Sequence, residues 1–290
     1  MAPLISGSLV TTGELARQLD DPELRIADCR WYLGRPGAGR AAYDEGHIPG
    51  SFHVSLEDVL SAPRGPGRHP LPEADTFARS IGRLGIGPRS RVVGYDDAGG
   101  TIAARLWWML RWIGHEDIGV LDGGWDTWTT EGRPTTTAAP AFPAVEYGAV
   151  GEHMPTWDRA AVRAGTDRIL LLDARAPERY RGEVEPIDPV AGHIPTATNA
   201  PHADNLDVDK RMLSASDLRR RYESLGVVEG KETVVYCGSG VTACHDLLAM
   251  EIAGLPTAAL YPGSWSDWSD AGDPVAVGPD PGTLPRSTPL

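Results

Sequence analysis

The sequence predicts an α/β protein written twice, each copy a central parallel sheet flanked by helices. Three observations carry that expectation. Short β-branched runs such as SRVVGYDD (residues 90–97) alternate with helical patterns, the signature of βαβ units. Four features recur in the same order, displaced by 140–146 residues: RIADCR (25–30) and ILLLDAR (169–175), GHIP (46–49 and 192–195), RVVGYDDAGG (91–100) and TVVYCGSG (233–240), GGWDTW (123–128) and GSWSDW (263–268). Self-similarity at half the chain length marks a tandem duplication. Finally, 290 residues are many for one compact domain and ample for two.

Taken in order, the lead-in MAPLISGSLVTTGELARQL (1–19) has neither a basic start nor a long apolar run. It predicts an amphipathic helix rather than a secretion signal, and the cytoplasm as compartment. The apolar run that ends in Asp28 and Arg30 predicts a strand, as does its twin ending in Asp173 and Arg175. His47 and His193, each before Ile-Pro, predict side chains that fix a turn by hydrogen bonding; no ligand set for a metal surrounds them. SAPRGPGRHPLP (61–72) predicts an irregular loop inside the first copy, and long loops of this kind tend to be functional. LWWML (106–110) predicts a buried helix face at the domain interface. Arg111 follows it, and no stretch approaches the roughly 20 apolar residues of a membrane span. The tryptophan pairs Trp125/Trp128 and Trp265/Trp268 are expected to pack the end of each domain. Residues 133–150, rich in Pro, Thr and Ala, predict an extended linker, and 273–290 a loosely held end. The expected partition is a first domain at 1–134, a linker at 135–150, a second domain at 151–275 and a tail at 276–290.

Composition narrows the function classes. With 41% hydrophobic and 23% charged residues the chain reads as an ordinary globular protein. A net charge of −13 argues against nucleic acid or an anionic membrane as partner. Cys29, Cys237 and Cys244 form no disulfide framework and no Cys-x-x-Cys pair, so each is read as a free thiol.

The stretch YCGSGVTACH (236–245) holds the chemistry. ETVVYC predicts a buried strand ending at Cys237, while Cys244, Leu247, Leu248 and Ile252 mark one face of a helix that Gly254 and Pro256 end. Cys237 thus stands at the C-terminal edge of a parallel sheet, where α/β proteins bind ligands. Gly238, Ser239 and Gly240 leave room for backbone N–H groups to converge on an anion at the helix N-terminus, a setting that suits a thiolate. The competing reading is a small buried hydrophobe, the commoner fate of a free cysteine. The other copy weakens it by placing Asp96 at the same position, read here as a solvated loop acid. Such a thiolate can attack phosphorus or sulfur. Phosphate-ester cleavage by cysteine uses an arginine six residues on, where this chain has Ala243; sulfur transfer needs only the thiolate and the cradle.

With DCRWYLG, GHIPGS, RYRGEVEPIDPVAGHIP, CGSGVTA and GSWSDW, nearly the whole chain resembles the two-domain rhodanese-like sulfurtransferases, and within them the 3-mercaptopyruvate sulfurtransferases. The resemblance implies two rhodanese domains, the first without a catalytic cysteine, a persulfide on Cys237, and no metal or organic cofactor. It implies 3-mercaptopyruvate or thiosulfate as donor and a thiol, thioredoxin or cyanide as acceptor; the uncharged Gly238–Ser239–Gly240 looks like the mercaptopyruvate type. A thiosulfate-preferring enzyme and a persulfide carrier serving a dedicated partner are the alternatives. Ser239 would hydrogen-bond the reacting sulfur. Arg179 would bind the substrate carboxylate, with the loop residues Gly238, Gly240, Val241 and Thr242 around it. Relatives carry a second arginine shortly afterwards, where this chain reads Pro186, Ile187 and Asp188, so Arg181 or Arg175 is expected to substitute. His69 would shuttle a proton and Glu57, or its neighbour Asp58, would assist from the first domain. Cys29 and Cys244 are expected to pack, with a resolving role for Cys244 the weaker reading.

Overall fold

The computed structural model describes residues 7–148, 151–166 and 168–284. Residues 1–6 of the lead-in, 149–150 of the expected linker and 285–290 of the expected tail lie outside the described residues. The chain forms two compact units. One is made of the chain to Pro63 with Leu71–Met154 and Leu206–Leu213; the other of Arg64–Pro70, Pro155–Asn205 and the chain from Ser214 on. Part of the irregular loop at 61–72 therefore belongs to the second unit.

The first unit runs β1 (Leu9–Val10), α1 (Thr12–Ala16), β2 (Leu24–Asp28), α2 (Ala38–Glu45), β3 (Ser51–His53), α3 (Ala74–Arg83), β4 (Arg91–Tyr95), α4 (Ala103–Trp112), β5 (Ile118–Leu121) and α5 (Gly124–Thr130). The amphipathic helix expected from the lead-in is short, and Thr11 and Glu14 close a capping box that fixes its start. The five strands are all parallel, in the order β1-β5-β4-β2-β3. Every residue of β5 is buried, as expected of a strand covered on both faces. In α4, Ala103–Leu110 are buried without exception, so the LWWML run is a buried helix face, as expected.

The second unit repeats the plan: α6 (Arg159–Gly165), β6 (Leu170–Asp173), α7 (Pro177–Tyr180), β7 (Thr198–Asn199), a 3-10 turn (His202–Asn205), α8 (Ala215–Ser224), β8 (Thr233–Tyr236), α9 (Ala243–Ile252), β9 (Ala259–Leu260) and α10 (Ser264–Asp270). Its parallel sheet has the order β7-β6-β8-β9, which matches β3-β2-β4-β5 of the first. Thr156 pairs with Leu260 where the first unit has β1 beside β5. No helix among the described residues is long and apolar enough to cross a membrane.

The recurring motifs are structural locks. Asp28 takes Arg30 Nη2 at 2.6 Å, and the same guanidinium reaches Gly46 O at 2.7 Å. Asp173, Arg175 and Gly192 O repeat both distances. A tryptophan covers each guanidinium, Trp125 at 4.4 Å and Trp265 at 4.6 Å. His47 stacks on Tyr43 and His193 on Tyr180, at 3.8 and 3.7 Å, and each spends its ring nitrogens on backbone carbonyls. Those carbonyls include Ala138 and Asp280, so the histidines tie the segment after each last helix to the turn. The end of the described chain is accordingly pinned: Ala276 exchanges hydrogen bonds with His193, Thr196 N donates to Pro281 O, and Asp273 pairs with Arg159 at 2.9 Å.

Candidate active site

The loop between β8 and α9 begins at Cys237. Its N–H donates to Ser264 Oγ at 3.1 Å, while Cys237 O and Gly238 O accept from Trp265 N and Ser266 N, both at 3.0 Å. The loop backbone is thus fixed to the start of α10, and Cys237 is buried, 2% exposed. Gly240, at φ +75°, makes the left-handed turn; a Cβ there would lie 2.5 Å from Pro262 O, so only glycine fits. Among the described residues, the N–H groups of Ser239, Val241 and Ala243 give no hydrogen bond. Three donors therefore remain unspent in the thiol's loop, at the N-terminus of a ten-residue helix.

The first unit shows what such a loop holds. Asp96 is not the solvated acid expected from the sequence: it is fully buried. Its Oδ1 accepts from Ala98 N and Gly100 N, both at 2.8 Å, and its Oδ2 from Ile102 N at 2.7 Å and Ala103 N at 2.9 Å. Burial pushes its carboxyl above the ordinary value, and the four donors pull the other way. With Asp96 set on Cys237, the amides of Ala98, Gly100 and Ile102 fall on those of Ser239, Val241 and Ala243. One copy closes its cradle on its own carboxylate; the other leaves three of the amides open in the loop of a cysteine.

Around the cysteine loop the segment 64–70 supplies two side chains. His69 Nδ1 lies 2.8 Å from Ser239 Oγ, so the expected histidine and serine are brought together. The segment is held by Arg68 N donating to Ser266 Oγ at 3.1 Å, and Gly67, at φ +74°, passes so close that a Cβ would overlap Gly263 O. Two guanidiniums face Gly238: a Cβ on it would lie 2.8 Å from Arg68 Nη2 and 3.4 Å from Arg179 Nη1. Arg179 binds Glu185 Oε1 at 2.7 Å and approaches Asp188 Oδ2 at 3.4 Å, while Arg68 Nη1 pairs with Asp188 Oδ1.

The second guanidinium facing the loop is that of Arg68, which sequence reasoning missed. Its one signal was adjacency to His69 in GRHP. Arg181 instead grips Glu183 at 2.7 and 2.8 Å, and Arg175, 1% exposed, is consumed by Asp173 and Gly192 O. Val241 is buried and Thr242 half-buried where α9 starts. Glu57 lies in the first unit, where its carboxylate accepts from Trp31 Nε1 and Ser55 Oγ. Cys244 Sγ donates to Gly240 O at 3.3 Å, which ties the loop to the helix. Cys29 is buried, and burial pushes its thiol well up, with Asp96 and Asp28 adding to the effect.

As a family, the Rhodanese-like domain matches this chain twice, over residues 11–131 and 156–271. The chain belongs to the rhodanese family. Both rhodanese domains are shared with its relatives. A Pseudomonas aeruginosa protein named "Probable 3-mercaptopyruvate sulfurtransferase" is 44% identical, over 94% of this chain and 99% of its own length. The thiosulfate sulfurtransferase of Rattus norvegicus is 34% identical over 90% of this chain and 91% of its own. Among solved structures, SseA from Escherichia coli, a 3-mercaptopyruvate sulfotransferase of rhodanese fold, superposes with a TM-score of 0.80 at 32% identity, over 90% of this chain and all of that one. This chain is thus a two-domain rhodanese-like sulfurtransferase, similar to enzymes named for either donor.

Proposed function

We propose that the protein transfers a sulfane sulfur from 3-mercaptopyruvate through a persulfide on Cys237 to a thiol, thioredoxin or cyanide, with 151–275 as the catalytic domain. The observation that carries this reading is the contrast between the two loops: amides that hold the Asp96 carboxylate in one copy have open counterparts in the copy bearing a thiol. Such donors suit the terminal anion of a persulfide, and they offer charge stabilisation without reorganisation.

The Cys237 thiolate attacks the donor sulfur, an S–S bond forms, and the C–S electron pair leaves on carbon as the enolate of pyruvate. The proton released by the former donor thiol reaches that carbon, so pyruvate and an anionic persulfide result. Ser239 and His69, 2.8 Å apart, form a route for this proton. Arg179 binds the donor carboxylate. An acceptor thiolate then attacks the outer sulfur and regenerates the Cys237 thiolate. All three cysteines are free and buried, which supports a reducing compartment, the cytoplasm.

The test is intact-mass spectrometry after incubation with 3-mercaptopyruvate. A gain of ~32 Da, mapped to Cys237 and removed by thioredoxin, is expected. A Cys237→Ser protein that transfers sulfur at the wild-type rate refutes the proposal.

A further inference from the structure

Arg68 and Arg179 face Gly238 from two segments of the chain, yet neither brings free positive charge. Glu185 and Asp188 are nearly buried, with side chains 3% and 4% exposed, and they match the two guanidiniums one for one. Asp188 bridges both arginines, through Oδ1 to Arg68 and Oδ2 to Arg179, and its N–H is held by Glu185 Oε1 at 3.2 Å. Arg68 Nε, also buried, has no acceptor among the described residues, so that guanidinium keeps a donor available. A carboxylate at this depth is screened less by solvent than one at the surface, so a charge brought to the loop feels it.

We infer that the Arg68–Asp188 pair discriminates between donors by charge. Asp188 positions Arg68 over Gly238 and opposes a second negative charge. The site thus favours a donor with one carboxylate and an uncharged sulfur end, such as a 2-oxo-3-thio acid, over a compact dianion such as thiosulfate. This rests on the sulfurtransferase reading above and assigns Asp188 a positioning and specificity role, without contact to the reacting atoms. Specificity of this kind comes from the penalty imposed on the wrong donor as much as from attraction to the right one.

The experiment measures kcat/KM for 3-mercaptopyruvate and for thiosulfate with cyanide as common acceptor, in full-length wild type and three variants. Asp188→Asn removes the opposing charge and is expected to move the ratio about tenfold toward thiosulfate, mainly through a lower KM for thiosulfate. Arg68→Gln leaves Asp188 with only the 3.4 Å approach of Arg179 and moves the ratio the other way. Asp188→Glu keeps the charge and restores the wild-type ratio, a rescue that a packing role at 188 does not predict. A ratio that stays within twofold of wild type in Asp188→Asn overturns the inference. If that variant does not fold, an Arg68→Gln ratio that is unchanged or shifted toward thiosulfate overturns it equally. A wild-type protein that forms no Cys237 persulfide from either donor would sink the sulfurtransferase reading itself, whereas a wild-type persulfide with unmoved ratios sinks only the role of Asp188.

Discussion

Replacing Asp96 by alanine tests whether its carboxylate fills the first cradle. The side chain is fully buried and takes four backbone N–H groups at 2.7–2.9 Å. Truncation leaves a polar void with room for about one water, which satisfies about two of the donors. The two left bare cost about 1–3 kcal/mol each. Against this stands the relief of no longer burying a carboxylate whose pKa is already raised by burial. The net expectation is a loss of about 3 kcal/mol, or ~10 °C in Tm at roughly 3 °C per kcal/mol for a unit of this size. Tryptophan fluorescence is a suitable probe, since six of the nine tryptophans lie in the first unit. Cys237→Ala empties the corresponding position of a cradle whose amides are already open, and is expected to shift the melt far less. An Asp96→Ala protein melting within 1 °C of wild type would show that the four amides do not depend on the carboxylate, and the comparison between the loops would fail.

Two further predictions follow from buried charges in the second unit. Burial pushes the Asp246 carboxyl in α9 up to about 7, against hydrogen bonds from Asn205 and Tyr222. A carboxyl whose folded-state pKa exceeds its unfolded value binds more protons folded than unfolded in between. Stability should therefore fall as pH rises from about 4 to about 7, by on the order of 3 kcal/mol. Asp246→Asn should flatten that slope in urea midpoints taken at pH 5 and pH 8, and parallel profiles for the two proteins would contradict the assignment. Arg175→Ala strands the fully buried Asp173 carboxylate, for an expected loss of about 3–5 kcal/mol; a urea titration that finds less than about 1 kcal/mol would remove Arg175 from the lock.

The sequence by itself determined the duplication, the α/β class, the strand-to-helix position of Cys237 and the turn-fixing role of His47 and His193. These are repeated or local signals, carried by residues whose neighbours in space are close in the chain or copied with it. It also pointed to His69 and Ser239, through the resemblance rather than through spacing, since the two are 170 residues apart. Only the tertiary structure decided which arginine faces Gly238. Arg175 and Arg181 are nearer in sequence, but buried Asp173 and neighbouring Glu183 claim their guanidiniums, while Arg68 lies on a distant segment that belongs to the second unit and meets Asp188 across 120 residues. Asp96 was misread although its partners are only two to seven residues away. Hydrophobicity makes a loop carboxylate look solvated, and only the folded loop shows that its own amides take the place of water.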